Sequence, residues 1–512
     1  MKSKGIVYLV GAGPGDAGLL TLRGAELLRR ADVVIYDVLA NAELLRLAPA
    51  TAEFIPRGSR GTDKALTQEQ LNALMISKAS EGKCVVRLKG GDPYIFGRGG
   101  EEAEELAAAH IPFEVVPGVS SIVAAPNYAG IPLTHRGVAS TFTVLTGHED
   151  PEKESSDLNF EEIARIPGTK VILMGLKRLR ELTETLVARG MPPGTPIAIV
   201  HRGTTGGQQS VVGTLATIAD VASKANISAP AITIIGDVVQ LRDKLNWFEH
   251  RPLFGQRIVV TRTREQASQL SKQLSDLGAE VLEIPTIKLV PPTEDRRQDL
   301  IDALLELNSY NWLVFTSPNG VTAFFDLFFK RFQDLRDIGG ARIAAIGPAT
   351  AAKLKELHLQ VDLMPEEAIG SKIAAAFDKF ETVENLKICL LRAEVANPDL
   401  PKALEELGAI VDDIAVYKTV AETQDLNGAA ANLAEKGMDW ITFTSASTVE
   451  HFNARFDLPK LLKLFPGAKL LSIGPETSKA IRALGLEPTL EAKDHSIDGM
   501  VQTLLKRPPR AN

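Results

Sequence analysis

The back half of the sequence repeats a short set of motifs at nearly constant spacing. Phe315-Thr316-Ser317 returns 128 residues later as Phe443-Thr444-Ser445, and Ile346-Gly347-Pro348 returns 127 residues later as Ile473-Gly474-Pro475. Self-similarity at a fixed offset is the sequence signature of a repeated structural unit. We therefore predict that a whole α/β unit is duplicated here and that the back half folds as two lobes.

The repeated turns end in hydroxyl side chains where predicted strands give way to predicted helices. Such turns present hydroxyls and helix-start amides, which together suit carboxylate ligands. Helix capping is the other interpretation of each hydroxyl, and it is favoured for any one of them taken singly. Because two copies would face each other across a cleft, we predict substrate binding by these residues: Arg262, Thr316, Ser317, Thr350, Ser445 and Thr477.

The front half is organised around a glycine-rich loop. The predicted strand Cys84-Val85-Val86-Arg87-Leu88 leads into a loop with five glycines before a helix predicted to begin at Glu101. Glycines at the carboxyl end of a strand let the backbone approach a ligand, and ligands of open α/β sheets bind at that edge. A plain surface turn is the alternative, but Asp92, Phe96 and Arg98 in the same loop favour a binding site.

A second glycine turn, Gly11-Ala12-Gly13-Pro14-Gly15-Asp16, follows the first predicted strand and imitates a dinucleotide-binding fingerprint. Pro14 lacks the amide that a pyrophosphate cradle would use, which disfavours a Rossmann site. The next predicted strand ends at Asp37. From the residues alone, this carboxylate is either a helix cap or a general base facing the same cleft.

Composition restricts the partners and the compartment. The chain has 512 residues and a net charge of −7, which predicts no general affinity for nucleic acid. The two cysteines, Cys84 and Cys389, are far apart in sequence, so neither a disulfide framework nor a metal site is predicted. The apolar start is too short for a signal peptide, and no segment predicts a membrane span. We expect a cytoplasmic protein.

The front half carries an ordered set of motifs. They are Gly11 to Asp16, Arg87 to Glu102, Val116-Pro117-Gly118, Ile131 to Arg136 and Thr146-Gly147-His148. Together they resemble the uroporphyrinogen-III C-methyltransferase family over residues 5–247. The resemblance implies a two-lobed tetrapyrrole methyltransferase fold, usually a homodimer, with S-adenosylmethionine between the lobes.

The resemblance also implies roles for individual residues. Asp37 would be the general base, and the cofactor-binding residues would be Pro14, Gly90, Gly91, Asp92, Ile95, Ser120, Ser121, Met174, Gly203 and Ala231. Because the family's substrate is a polycarboxylate, cations are expected at the mouth of the cleft, with these candidates: Arg87, Lys89, Arg98, His135 and Arg136. Each of them, taken singly, has the alternative of a surface salt bridge.

One position departs from the family pattern. Many members have Gly-Lys-Arg where this chain has Gly58-Ser59-Arg60, so the lysine suggested as proton donor is replaced by Ser59. The residue that supplies this function is left open. Arg57, Arg60 and Lys64 offer positive charge nearby, without a case for any of them as an acid.

The back half resembles the uroporphyrinogen-III synthase family over about residues 255–505, through the repeated turns and Val416-Tyr417-Lys418-Thr419. The resemblance implies closure of hydroxymethylbilane to uroporphyrinogen III with inversion of the last pyrrole. The Tyr417 phenol would protonate or steady the departing hydroxyl. Packing of this side chain at the hinge between lobes is the alternative.

These interpretations predict an α/β fold throughout and three consecutive segments. They are a methyltransferase at 1–247 (lobes about 1–140 and 141–247), a linker at 248–256 and a synthase at 257–512. The synthase lobes would be about 257–288 plus 423–507, and 289–422, since the resemblance implies paired crossing strands.

The predicted function is a bifunctional enzyme that makes uroporphyrinogen III and methylates it twice to precorrin-2, for sirohaem or cobalamin. A first alternative is a methyltransferase that acts on another precorrin. A second is a back half that senses a ligand without catalysis. The metabolic branch and any transfer of substrate between the halves are left open.

Overall fold

The computed structural model describes residues 5–49, 51–58, 66–147, 158–261, 264–366, 370–423, 425 and 428–506. Strands and helices alternate along these ranges and form four five-stranded sheets among the described residues. The predicted α/β class is confirmed. Five positions discussed above, Ser59, Arg60, Lys64, His148 and Arg262, lie outside the described residues.

The first sheet is parallel, and helices cover both of its faces. Its elements are β1 (Ile6–Gly11), α1 (Leu22–Leu28), β2 (Val33–Tyr36), β3 (Glu53–Pro56), α2 (Gln68–Ser80), β4 (Cys84–Lys89), α3 (Gly99–Ala108), β5 (Phe113–Val116) and α4 (Ser121–Tyr128). The strand order is β3-β2-β4-β1-β5. The central strands are continuous apolar runs because α1 packs on one face and α2 and α3 on the other.

Two helices of this sheet begin at threonine caps. The Thr21 hydroxyl accepts a hydrogen bond from the Gly24 amide (3.0 Å) at the start of α1. The Thr67 hydroxyl accepts one from the Gln70 amide (3.2 Å), and the Gln70 side-chain oxygen accepts one from the Thr67 amide (3.1 Å). Such reciprocal capping satisfies amides that a helix start leaves without partners.

The second sheet is mixed. Its elements are β6 (Phe142–Thr146), α5 (Phe160–Arg165), β7 (Thr169–Leu173), α6 (Leu179–Ala188), β8 (Pro196–His201), β9 (Gln209–Thr214), α7 (Ile218–Lys224), β10 (Ala231–Ile235) and α8 (Arg242–Leu245). The order is β6-β7-β10-β8-β9, with only β6 and β7 parallel. β9 was not predicted from the sequence, because this partly buried edge strand carries only two consecutive apolar residues, Val211 and Val212.

The back half contains the remaining elements. They are β11 (Arg257–Val260), α9 (Arg264–Asp276), β12 (Glu280–Glu283), β13 (Ile287–Val290), α10 (Glu294–Leu305), β14 (Trp312–Phe315), α11 (Pro318–Arg331), β15 (Arg342–Ala345), α12 (Pro348–Glu356), α13 (Gly370–Phe380), β16 (Lys387–Ala393), α14 (Asp399–Glu406), β17 (Ile410–Ala421), α15 (Ala429–Lys436), β18 (Trp440–Phe443), α16 (Ala446–Phe456), α17 (Leu458–Leu464), β19 (Lys469–Ser472), α18 (Pro475–Ala483), β20 (Leu490–Glu491) and α19 (Ile497–Leu505).

These strands form a third and a fourth sheet, with orders β12-β11-β18-β19-β20 and β13-β17-β16-β14-β15. The third sheet therefore combines strands from both ends of the back half, and the fourth lies between them in sequence. The chain crosses from one to the other twice, and the two crossings run side by side. Antiparallel pairing of β13 with β17 continues into a hydrogen bond from the Glu422 amide to the Thr286 carbonyl (2.9 Å).

The segment between α8 and β11 contains no helix or strand, but its apolar side chains pack against neighbouring elements. Phe248 is buried, and its ring lies 4.8 Å from the Tyr128 ring and 5.6 Å from the Phe254 ring, measured between centroids. Leu253 is buried in the apolar cluster that contains Ile258. The predicted linker is thus a contact region that touches elements on both of its sides.

Among the residues described, no helix combines the length and apolar character needed to cross a membrane.

Candidate functional site

The two glycine turns of the front half lie against each other at the carboxyl edge of the first sheet. The Gly91 amide donates to the Gly13 carbonyl (2.8 Å), and the Gly13 amide donates to the Gly91 carbonyl (3.2 Å). Both residues have positive φ, +78° at Gly13 and +68° at Gly91, which favours glycine. Turns that were found separately in sequence therefore form one surface.

A third loop completes this surface through Gly118, which follows β5. A Cβ on Gly118 would lie 2.2 Å from the Gly91 carbonyl oxygen and 2.7 Å from the Gly11 Cα, so only glycine fits. Asp92 holds the loops together: one carboxylate oxygen accepts from the Gly118 amide (3.0 Å), and the other accepts from the Tyr94 amide (2.8 Å). The backbone of three strand ends is thus fixed before any ligand binds.

A buried ionic network lies beneath these loops. Arg87, Lys89 and Glu102 are 0 %, 1 % and 0 % exposed. One carboxylate oxygen of Glu102 accepts from Lys89 Nζ (2.7 Å) and from Arg87 Nε (3.4 Å). Burial, reinforced by the charge of Arg87, lowers the pKa of the Lys89 ammonium below its usual range despite the pairing with Glu102.

This network corrects two predictions. Arg87 and Lys89 do not line the mouth of a cleft, because their side chains are buried and paired with carboxylates. The physical reason is that an unpaired buried charge is strongly unfavourable, so carboxylates must accompany these cations.

Asp37 connects the buried network to the surface. One oxygen accepts from Arg87 Nη2 (2.6 Å), the other accepts from the Gly90 amide (3.3 Å), and Arg57 Nη1 lies 3.9 Å away. Its side chain is partly exposed. The carboxylate is therefore held in one orientation at the strand ends while it stays accessible from the cleft side, as a general base must be.

The predicted cofactor residues of the second sheet lie together at one end of its central strands. Met174 directly follows β7, Gly203 lies just after β8, and Ala231 begins β10, which runs between these strands in the opposite direction. Met174 is exposed and has a φ of +55°, a strained value for a residue with a side chain. An exposed, strained apolar residue at a strand end is a feature of a binding surface.

The other predicted cofactor residues differ in accessibility. Ile95 is exposed, and Pro14 and Ser121 are half-buried. Ser120 is buried and caps α4, since its hydroxyl accepts from the Ile122 amide (3.4 Å). For Ser120, the capping role is the one seen in the structure.

The remaining cationic candidates of the front half are exposed. Arg98 donates to Glu101 on the same helix turn (2.9 and 2.6 Å). His135 and Arg136 lie in an exposed turn closed by paired backbone hydrogen bonds between His135 and Ala139 (2.9 Å each). These three residues stay candidates for contacts with a polycarboxylate.

In the back half, Tyr417 and Ser317 form the main polar contact among the predicted residues. Their hydroxyl oxygens lie 3.2 Å apart, and Ser317 also accepts from the Gly320 amide (3.0 Å) at the start of α11. Tyr417 is buried, and Thr316, which precedes Ser317 in sequence, is half-buried. The phenol is thus oriented by a hydroxyl that is itself fixed by a helix start.

The second copy of the turn places its hydroxyls differently. Ser445 caps α16 by accepting from the Thr448 amide (3.3 Å) and lies 3.0 Å from the Ser447 hydroxyl. Thr350 and Thr477 are 1 % and 3 % exposed inside α12 and α18. The prediction that these two threonines present hydroxyls to a substrate is wrong in this structure, because both face the core beneath the first turn of their helices.

Sequence reasoning missed Glu102 and the proximity of Arg57 to Asp37. A signal for the first was available: Arg87 and Lys89 are two apart on a strand, so they share a face and require a common counter-charge. Arg57 was expected only as a positive charge near Ser59, because its approach to Asp37 depends on how the loop after β3 returns to the sheet.

Comparison with known proteins gives two consecutive family matches. A family model of tetrapyrrole (corrin/porphyrin) methylases matches residues 6–219, and one of uroporphyrinogen-III synthase HemD matches residues 268–502. The porphyrin biosynthesis protein HemD of Ruminiclostridium josui is 39% identical over 505 residues, which cover 98% of this chain and 98% of that protein. The S-adenosyl-L-methionine-dependent uroporphyrinogen III methyltransferase of Methanosarcina barkeri is 53% identical over 241 residues, 47% of this chain and 94% of that protein.

Solved structures resemble each half separately. Uroporphyrin-III C-methyltransferase of Thermus thermophilus, complexed with S-adenosylhomocysteine, is 39% identical, with a TM-score of 0.40 over 46% of this chain and 100% of that chain. A mutant uroporphyrinogen III synthase of the same organism is 20% identical, with a TM-score of 0.36 over 48% of this chain and 96% of that chain.

Proposed function

The chain belongs to the family of porphyrin biosynthesis proteins that join a tetrapyrrole methylase to a uroporphyrinogen-III synthase, and on that premise we propose how its two halves divide the work. The back half closes hydroxymethylbilane to uroporphyrinogen III, and the front half methylates this product twice to precorrin-2. The observation that carries the proposal is that both family models match this chain in this order, together with a porphyrin biosynthesis relative that is 39% identical over 98% of the chain.

S-adenosylmethionine is the proposed methyl donor, and the strand-end surface of the front half suits it. Gly91 leaves its backbone accessible at this surface, and Gly118 lets the neighbouring loops pack closely, since a side chain there would collide with the Gly91 and Gly11 backbone. Ile95 and Met174 are exposed apolar side chains, suited to an adenine ring or a methylene chain. When bound, the donor supplies an electrophilic methyl group to a carbon of the substrate.

The protein's own task in methyl transfer is orientation and removal of one proton. Pyrrole carbons are electron-rich, so the acceptor is a sufficient nucleophile once donor and acceptor are aligned. Asp37 is the proposed base for the proton that the methylated carbon loses. Arg87 and the Gly90 amide hold its two oxygens (2.6 and 3.3 Å). Arg57, close to Asp37 and partly exposed, is suited to bind a substrate carboxylate beside it.

In the back half, the proposed task is to hold the two ends of the linear substrate in place. Ring closure with inversion of the last pyrrole is then faster than closure without inversion. Tyr417 is the proposed donor to the departing hydroxyl, oriented by Ser317 at 3.2 Å. Ser317, Thr316 and Ser445 are proposed to meet substrate carboxylates through hydroxyls and nearby helix-start amides.

We also propose the domain limits given above, with methyltransferase at 1–247 and synthase at 257–512. A homodimer through the front half is supported by exposed apolar side chains at Leu39, Tyr94 and Phe96. Light scattering on the purified chain should give twice the monomer mass, and the monomer mass would contradict the dimer. The cytoplasm is the proposed location, supported by two unpaired cysteines, Cys84 and Cys389.

The test is an anaerobic incubation of the purified full chain with hydroxymethylbilane, with and without S-adenosylmethionine. We expect uroporphyrinogen III in the reaction without S-adenosylmethionine and a doubly methylated tetrapyrrole in the reaction with it, identified by isomer-resolving chromatography and mass spectrometry. Closure to the uninverted isomer alone would refute the synthase. Formation of uroporphyrinogen III without methylation would favour a different acceptor for the front half.

A further inference from the structure

Two acidic residues of β12, in the back half, form ion pairs with the front half. Glu280 accepts from Arg202 Nη1 at 2.8 Å, with the two side chains 10 % and 24 % exposed. Glu283 pairs with Arg46. Glu280 also meets Arg257 Nη1 at 3.3 Å, so it joins arginines from both halves.

The front-half partner of Glu280 belongs to an unusual turn. Arg202 has a φ of +47° and Thr204 a φ of +71°, so two residues with side chains adopt the left-handed region on either side of Gly203. Such conformations are unfavourable for residues with a Cβ and persist only where surrounding contacts hold them. Gly203 is one of the proposed cofactor residues.

Contacts on two sides hold this turn in place. Toward the first sheet, the Asp16 amide donates to the Thr204 hydroxyl (3.1 Å), which links the turn to the glycine turn after β1. Toward the back half, a Cβ on Gly206 would lie 2.1 Å from the Ala279 carbonyl carbon, so the two backbones are in direct contact. The Arg202–Glu280 pair is the charged contact of this junction.

From this arrangement we propose that Glu280 is a positioning residue for the front half. Its carboxylate holds Arg202, and thereby keeps the strained turn around Gly203 in the conformation that binds S-adenosylmethionine. The inference rests on the proposed function of the front half and extends it, because it makes cofactor affinity depend on a side chain of the synthase segment. The interface between the halves is then part of the methyltransferase.

The test is calorimetric titration of the full chain with S-adenosylmethionine. Glu280→Gln keeps the size of the side chain and removes its charge, so the dissociation constant should rise at least about threefold. Arg202→Gln should give a similar loss. The double variant should be no weaker than either single variant, because both remove the same contact. Synthase rate with hydroxymethylbilane should stay at the wild-type value in each.

Arg257→Gln is the matched control. It removes the other partner of Glu280, which lies within the back half, and leaves the Arg202 contact in place. This variant should bind the cofactor as the wild type does, even if its thermal midpoint falls. If Glu280→Gln does not fold, Arg202→Gln tests the same contact from the front half.

Three outcomes would overturn the proposal. Wild-type affinity in both Glu280→Gln and Arg202→Gln would show that the pair does not position the turn. Additive losses in the double variant would show two independent effects. Failure of the wild-type chain itself to bind S-adenosylmethionine would instead refute the proposed cofactor, and with it this inference, so the two failures are distinguishable.

Discussion

The front and back halves share an α/β construction but hold their polar groups in different ways. In the front half, a carboxylate at a strand end, Asp37, is anchored by a buried arginine and a backbone amide. In the back half, the predicted hydroxyls mostly cap helices or face the core, and Tyr417 with Ser317 is the main side-chain contact among them. One half therefore anchors the carboxylate proposed as a base, whereas the hydroxyls of the other half mainly cap helices or are buried.

This difference matches the chemistry proposed for each half. Methyl transfer needs an aligned donor and acceptor and one proton acceptor, so a single carboxylate carries much of the catalysis. Ring closure with inversion needs a long, flexible substrate to be held in one conformation, a task that many weak contacts share. Single substitutions should accordingly have larger effects in the front half than in the back half.

The largest effect should come from Asp37→Asn. The amide cannot accept the proton, so methyl transfer to supplied uroporphyrinogen III should fall by at least about a hundredfold, the lower end of general-base effects. Synthase rate and S-adenosylmethionine binding should be unchanged.

Asp32→Asn is the matched control for that variant. Asp32 precedes β2 at its opposite end, where its carboxylate accepts from the Cys84 amide (2.8 Å), so its loss should leave methyl transfer within about twofold of the wild-type rate. A similarly small loss in Asp37→Asn would mean that Asp37 only neutralises Arg87, and the contrast between the halves would disappear.

The second effect tests the back half. Tyr417→Phe removes one hydroxyl and keeps the ring, so the synthase rate should fall at least about tenfold while methyl transfer stays normal. The loss of the bond to Ser317 should cost only about 1 kcal/mol of stability.

Tyr310→Phe is the control, since Tyr310, which lies just before β14, is another buried tyrosine of the same core, and its hydroxyl donates to Asp412 (2.7 Å). It should lose at least as much stability, because its bond is to a charged group, without loss of synthase rate. An undiminished rate in Tyr417→Phe would make Tyr417 a packing residue.

A smaller effect is expected for the loop at Asp92. Asp92→Ala leaves the Gly118 and Tyr94 amides without their acceptor, and each lost bond to a charged group is worth about 1.5–3 kcal/mol in a favourable case. We expect S-adenosylmethionine to bind at least about fivefold more weakly, measured by calorimetry, with ring closure intact. Glu101→Gln, which removes only an exposed pair with Arg98, should bind normally. Equal affinities in both variants would contradict the loop assignment.

The smallest effect concerns the pH dependence of front-half stability. Burial lowers the pKa of His201, whose Nδ1 donates to the Ser228 and Pro230 carbonyls (2.6 and 3.1 Å). Because the folded pKa lies below the unfolded one, the unfolded state binds more protons in acid. The contribution of neutral His201 to stability is therefore fully present above the unfolded pKa of about 6.5 and is lost as pH falls through the folded pKa.

The measurement is the thermal midpoint between pH 7.5 and 5, conditions chosen to span that window. As pH falls, the midpoint of His201→Gln should decrease less steeply than that of the wild type. In terms of the free energy of unfolding, the two slopes should differ by less than about 1.4 kcal/mol per pH unit, the limit for one proton. An identical decline in both proteins would remove His201 as a cause.

Many structural features of this protein are determined by short stretches of its sequence. The duplicated turns of the back half, the glycine ends of the strands and the threonine caps at Thr21 and Thr67 depend only on neighbours along the chain, so they could be predicted. The α/β class and the two family resemblances followed from them. The sequence showed only that Gly118 follows a predicted strand. It did not show that a side chain at this position would clash with neighbouring backbone.

The tertiary structure alone decided the fate of the charged and hydroxyl side chains. Arg87 and Lys89 looked like surface cations, but they meet Glu102 from another element and are buried with it. Thr350 and Thr477 looked like ligand hydroxyls, but their helices turn them into the core. The contact of Arg202 with Glu280 joins residues 78 apart in the chain. A charge or hydroxyl takes its role from the partner that folding brings near it, and that partner is not encoded in the local pattern.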